Sequence, residues 1–285
     1  VGETERPQVR PADRGPAWAL AVARVRVVLP VLGILLVVLD AFLPGPGWLV
    51  AGLALLAAGV AAYLVLGRVH AEPVDLAFPL DGRWVAVNSP AGKVPSHGLH
   101  AYGQTYAVDL IHVPEGDWST TYGWGGPHTP DPETFAGWGR PVRSPADGVV
   151  VGVRGGQRDH GARTSYPAVL LMVLEGFLLE LTGRILGNHV VLEIAPSTYV
   201  ALAHLRRGSV RVAVGDTVRA GDLLGECGNS GNTSEPHVHL QVMDRRRAWL
   251  AAGLPFRFVD AVADDGTDVD VPAERTAARA RTPRG

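Results

Sequence analysis

A single cysteine, Cys227, stands among the 285 residues. One thiol cannot close an intramolecular disulfide, so a disulfide-stapled fold is excluded. The compartment stays open, because proteins without disulfides occur on either side of a membrane. Gly225-Glu226-Cys227-Gly228 reads as a turn, which makes the thiol structural. Lysine is nearly absent too: Lys93 is the one lysine among 26 basic residues. The arginines are scattered, so this imbalance reads as codon usage and not as an anion-binding surface. The formal net charge is only -2, and no global field points to nucleic acid or an anionic partner. Charged residues are 19% and hydrophobic residues 47%, the opposite of a disordered chain. At about 150 residues per domain the length allows roughly two units. The mean hydropathy of +0.13 suggests that apolar residues are concentrated somewhere.

That concentration is near the N-terminus. Residues 1–16 carry Arg6, Arg10, Arg14 and three prolines without apolar periodicity, and read as a flexible tail. Within 17–67, Val27–Leu43 is apolar apart from Asp40, and after Pro44-Gly45-Pro46-Gly47 the stretch Trp48–Gly67 has no charge. A helix of about 20 apolar residues spans a hydrocarbon core of about 30 Å. The second stretch meets that length, the first is shorter, and together they predict a transmembrane helical hairpin with Trp48 as an interfacial anchor.

Residues 68–262 carry strand signals. Short β-rich runs recur at 106–113, 148–153, 189–194, 199–205, 223–228 and 237–243, bounded by Gly, Pro and Asp. Such runs predict a mainly β fold, an antiparallel sheet or sandwich. The Gly-, Pro- and Trp-rich stretch 114–140 reads as a long loop over the domain. Ala168–Leu186 is too long for a strand and predicts a helical insertion, with Glu180 and Arg184 spaced as a helix pair. It either packs on the sheet or forms a lid or membrane-surface segment. The polar 263–285 stretch reads as a disordered tail.

Ten histidines supply the chemistry. His237-Val238-His239 lies in a strand-like run, and side chains at i and i+2 share one face. Both imidazoles therefore point one way, as a metal site or an acid/base pair requires. His204 ends an apolar strand, and Asp109 is a carboxylate inside another. A buried carboxylate needs a partner, and a metal is one. His97 and His100 lie just upstream of it.

Taken in order, Pro141-Val142-Arg143-Ser144-Pro145-Ala146-Asp147-Gly148, Gly187-Asn188-His189, Ala203-His204-Leu205, the GDTVRAGDLLG turn and GNSGNTSEPHVHLQV resemble the M23 (LytM/lysostaphin-like) zinc metallopeptidases. The resemblance covers about residues 80–245. It implies a β-rich, duplicated-hybrid-motif-like peptidase domain with Zn2+ on a sheet face. It also implies Asp109 and His239 as zinc ligands, and His204 and His237 as the pair that activates water and stabilises the oxyanion. The family places a further ligand histidine four residues before the aspartate, where this chain has Thr105. His97 is the candidate replacement, since Gly98 lets the backbone turn after it, with His100 as the alternative. His160 and His189 are read as structural, and Asn188 as a turn cap or an orienting residue.

The resemblance implies a membrane-anchored endopeptidase acting on peptide bonds in peptidoglycan stems or cross-bridges. Its partners are then that peptide and the lipid bilayer. A non-catalytic M23-like scaffold or regulator of wall hydrolases is the alternative, and a phosphocarrier domain with a phosphoacceptor histidine is a more distant one. Arg6, Arg10, Arg14, Arg24 and Arg26 would place the N-terminus in the cytoplasm. Two spans would then return the domain to the cytoplasm, whereas a wall hydrolase needs it outside. We weigh function above charge counting and expect an extracytoplasmic domain at the cell membrane.

Overall fold

The computed structural model describes residues 18, 21–23, 26–43, 45, 47–116 and 129–281. The tail expected at 1–16, the middle of the 114–140 loop and the side chain of Glu180 lie outside the described residues.

Two apolar helices come first, α1 (Val28–Phe42) and α2 (Trp48–Val65). They pack antiparallel through small residues. A Cβ on Gly33 would meet the Gly52 carbonyl at 2.8 Å, and one on Gly59 would meet Pro30 Cδ at 2.7 Å. Glycine here lets the helix backbones touch. The outer faces remain apolar and open: Leu35, Val50 and Val65 are 57–71% exposed. At 1.5 Å per residue, α2 is about 27 Å long and α1 about 22 Å. Among the described residues α2 is the one helix long and apolar enough to cross a membrane.

Arg26 fastens this hairpin to the rest of the chain. Its Nη1 donates to the carbonyls of Ala62 (3.2 Å) and Leu66 (2.6 Å), its Nη2 donates to the His100 carbonyl, and the guanidinium lies 4.5 Å from the Tyr63 ring centroid. A cation thus sits on the carbonyls at a helix C-terminus, where the helix dipole favours it. It also places the start of α1 and the end of α2 together, against the domain. Arg26→Ala is expected to cost about 1–3 kcal/mol through lost charged hydrogen bonds, read as a lower unfolding midpoint of the full chain in detergent.

The domain is built from β1 (Val74–Leu76), β2 (Trp84–Ala86), β3 (Val108–His112), β4 (Pro141–Arg143), β5 (Gly148–Arg154), β6 (Asn188–Ala195) and β7 (Thr198–Leu205). It continues with β8 (Thr217–Val218), β9 (Leu223–Glu226), β10 (Val238–Met243), β11 (Gly253–Leu254), β12 (Phe256–Phe258), β13 (Ala261–Val262) and β14 (Ala277–Ala280). All six sequence runs contain a strand. A ten-stranded antiparallel sheet has the order β13-β14-β2-β3-β10-β7-β6-β5-β8, with β11 beside β10. The antiparallel pair β4–β9 and the parallel pair β1–β12 stand apart from it. Their Leu76, Val142, Leu224, Phe256 and Phe258 close the core against Val108, Leu110, Leu192, Leu202 and Leu240 of the large sheet.

Two expectations change. The 263–285 stretch is not wholly a disordered tail. β14 pairs with β2 through Ala277–Val85 and Ala278–Trp84, and Ala278 is buried. Its small side chains fit there and it covers a sheet edge that would otherwise stand open. Residues 282–285 lie outside the described residues. The inserted helix, α3, runs Tyr166–Leu181, so it starts two residues before and ends five residues before the expected span. Arg184 falls in the turn after it, and the ion pair that holds α3 joins Arg163 to Glu175.

Candidate metal centre

The site lies on the face of the large sheet opposite the core. Along β10, Val238, Leu240 and Val242 enter the core, which leaves His239 and Gln241 on the other face, with His237 just ahead of the strand. On β3, Val108 and Leu110 do the same and leave Asp109 on that face. The register sets Asp109 directly opposite His239.

His204 needs a different device. Val200 and Leu202 of β7 point into the core, and strict alternation would send His204 after them. A register irregularity between β6 and β7 and a positive φ of 62° at His204 break the alternation. The imidazole turns to the site face, while Leu205 re-enters the core. This extra residue is a β-bulge that re-aims a side chain. Asn188 supports it, since its Nδ2 donates to the Leu205 carbonyl at 3.0 Å. Gly231 (φ +86°) allows the neighbouring loop to come in, because a Cβ there would meet Gly187 N at 2.4 Å.

Four imidazoles gather around one carboxylate. Asp109 Oδ2 lies 3.0 Å from His97 Nε2, and Oδ1 lies 2.8 Å from His239 Nδ1 and 3.6 Å from His237 Nε2. The rings of His204 and His237 are 4.8 Å apart, and those of His204 and His239 5.7 Å. Burial alone would raise the Asp109 pKa. The His97 and His237 imidazoles, with hydrogen bonds from His239 and His97, outweigh it and hold the carboxyl well below the usual carboxylate range. His204 is held well below the usual imidazole range by burial, and then by His237 and His239. Burial would also lower the pKa of His239, but its contact with Asp109 carries it upward.

The outward nitrogens decide which atom each ring offers. His204 Nδ1 faces the Ser230 carbonyl at 2.8 Å and His237 Nδ1 faces the Glu235 carbonyl at 2.7 Å. A carbonyl only accepts, so each Nδ1 carries the proton and each Nε2 presents a lone pair to the site. His97 Nδ1 faces Ser96 Oγ at 3.0 Å, and that hydroxyl donates to the Gln104 carbonyl. Ser96 therefore accepts from Nδ1–H, and His97 Nε2, which shares a hydrogen bond with Asp109 Oδ2 at 3.0 Å, is the nitrogen turned to the cluster. Asn88 Nδ2 donates to Asp109 Oδ2 at 2.8 Å and steadies the carboxylate.

Ligand atoms of His97, Asp109 and His239 all lie within 4.8 Å of one another. Two imidazole nitrogens and a carboxylate form a donor set suited to Zn2+. His100 is turned away from it: its Nδ1 is 3.3 Å from Thr105 Oγ1, and its backbone N–H donates to Tyr63. His160 and His189 stand outside the cluster, each facing backbone carbonyls. Cys227 is fully buried, and burial pushes its thiol pKa upward.

Residues 133–250 match peptidase family M23. Over that stretch, less than half of its length, the chain is similar to this family. The match includes His204, His237 and His239 and begins after His97 and Asp109, in keeping with the departure at Thr105. No curated protein matches the chain. Among solved structures it is similar to a mutant catalytic domain of the prophage-encoded M23 protein EnpA from Enterococcus faecalis, at 19% identity and TM-score 0.34, over 60% of this chain and 88% of that one. The catalytic domain of lysostaphin from Staphylococcus simulans is similar at 18% identity and TM-score 0.30, over 62% and 86%. A zinc-containing peptidase from Vibrio cholerae is similar at 20% identity and TM-score 0.29, over 64% of this chain and 37% of that one. The likeness to M23 peptidases is carried by the residue match and not by these structures.

Sequence reasoning did not single out Asn88, Ser96, Ser230, Thr233 or Gln241. Only Gln241 carried a legible signal, lying two residues after His239 and so on the same strand face.

Proposed function

We propose that this M23 domain is a membrane-anchored zinc metalloendopeptidase that hydrolyses peptide bonds in peptidoglycan stems or cross-bridges. The observation that carries the reading is the convergence of His97, Asp109 and His239 beside a second imidazole pair, His204 and His237. His97 Nε2, an Asp109 oxygen and His239 Nδ1 would hold the ion. A bound zinc ion supplies Lewis acidity, making a water nucleophilic near neutral pH and polarising the scissile carbonyl. His204, buried and neutral with Nε2 bare, takes the proton of the attacking water. His237, protonated at Nε2 from solvent, donates to the developing oxyanion while the Glu235 carbonyl and Thr233 fix its ring, and the proton that His204 took passes to the departing amine. The full chain is expected to bind about one zinc per molecule and to release peptides from purified peptidoglycan, with both lost on chelation. A chain that takes no zinc and cuts no peptide would instead be a non-catalytic scaffold.

The anchor reading is supported by the length and hydropathy of α2 and by the open apolar faces of the hairpin. Because Arg26 joins both ends of the hairpin to the domain, the reading puts the flank of α1 on the domain's side, outside the cytoplasmic membrane. The full chain is expected to float with liposomes and to resist extraction by alkaline carbonate. In intact spheroplasts the domain is expected to be open to added protease; protection would place it in the cytosol.

A further inference from the structure

We infer that Gln241 is a positioning residue that selects the nitrogen His239 offers to a metal. The inference rests on the zinc reading above and deepens it. Each of the other three site histidines is oriented by a backbone carbonyl or by a hydroxyl that is itself committed to one. His239 alone is oriented by a side-chain amide: its Nε2 lies 2.8 Å from Gln241 Oε1. An amide has two ends, and only one of them can orient a ring in this way.

The backbone settles which end is turned to His239. Gln241 is fully buried, and its other end lies 2.9 Å from the Tyr102 carbonyl. That carbonyl can only accept, so the NH2 end must face it; the reverse orientation would oppose two oxygens. Oε1 is therefore fixed toward His239, and an oxygen of that kind accepts only from N–H. His239 must therefore carry a proton on Nε2, which leaves Nδ1, now hydrogen-bonded to Asp109 Oδ1 at 2.8 Å, as the nitrogen a metal would take. Hydrogen bonding at the far nitrogen is the usual way to fix the tautomer and ring orientation of a metal-ligating histidine. Here the far partner is held in turn by the backbone of the 96–106 segment, which also presents His97. The two histidine ligands are thereby positioned by one piece of chain.

The test is zinc titration of the full chain in detergent against a fluorescent chelator, for the wild type, Gln241→Met and Gln241→Glu. Both variants remove the amide donor to Tyr102, but only Glu retains an oxygen that accepts from Nε2–H. Gln241→Met is expected to weaken zinc binding about 10–100-fold. Gln241→Glu is expected to restore most of that loss, while the two zinc-free variants unfold at similar midpoints. Wild-type affinity in Gln241→Met would overturn the inference. So would equal losses in Met and Glu, since these would mean that packing alone matters. A wild-type chain that takes up no zinc would overturn the zinc reading itself, and this inference with it.

Discussion

Replacing Asp109 by Asn is expected to remove zinc binding and hydrolysis together. The carboxylate stands between three imidazoles and supplies the only negative charge that the cluster offers among the described residues. An amide at this position keeps the volume and loses the charge. Loss of an outer hydrogen-bonding partner costs about 10–100-fold in metal affinity, and loss of a charged ligand must cost more. Zinc content after dialysis is expected to fall from about one per chain to background, and peptide release with it. The fold should survive, because the neighbouring Val108 and Leu110 hold β3 in the core from the other face. Undiminished zinc in Asp109→Asn would remove this residue from the ligand set, and hydrolysis persisting without zinc would defeat the mechanism.

His204→Ala is expected to separate the two properties that Asp109→Asn loses together. His204 lies beside His237 and His239 but outside the trio that would hold the ion. The variant should retain zinc while hydrolysis falls about 100- to 10,000-fold, the range that a positioned general base contributes. In the proposed role, the surroundings of His204 would prepare it as the base. Burial and two neighbouring imidazoles keep the ring neutral, and the Ser230 carbonyl keeps the proton on Nδ1, away from the water. His204→Ala would show its effect in kcat of the zinc-loaded chain. A zinc-loaded variant with unchanged kcat would assign proton transfer to another group, and loss of zinc would make His204 part of the metal's support.

Several features of the site were legible in the residue order because a strand alternates. His237 and His239 had to share a face, and Asp109 between apolar neighbours had to lie opposite the core. His204 was singled out by its motif, although its strand pattern alone would have buried it with Val200 and Leu202. The bulge that re-aims it depends on how β6 and β7 register and on the positive φ at His204, and neither is a property of local sequence. The missing histidine at Thr105 shows the same limit from another side. His97 and His100 were nearly equivalent as text, yet the hairpin takes up the backbone of His100 through Tyr63 and Arg26, while Ser96 turns His97 toward Asp109. The C-terminal stretch misled because composition reports solubility and not strand pairing: its alanines fit a sheet edge that nothing nearby in sequence announces.

The sequence by itself determined the β-rich domain, the apolar hairpin and four of the five residues at the candidate centre, since short-range periodicity and motif spacing encode face and type. Tertiary structure alone decided which upstream histidine meets Asp109 and which nitrogen each ring presents. Those choices depend on carbonyls, hydroxyls and an amide brought in from distant segments, and a hydrogen bond between distant residues leaves no trace in the order of neighbours.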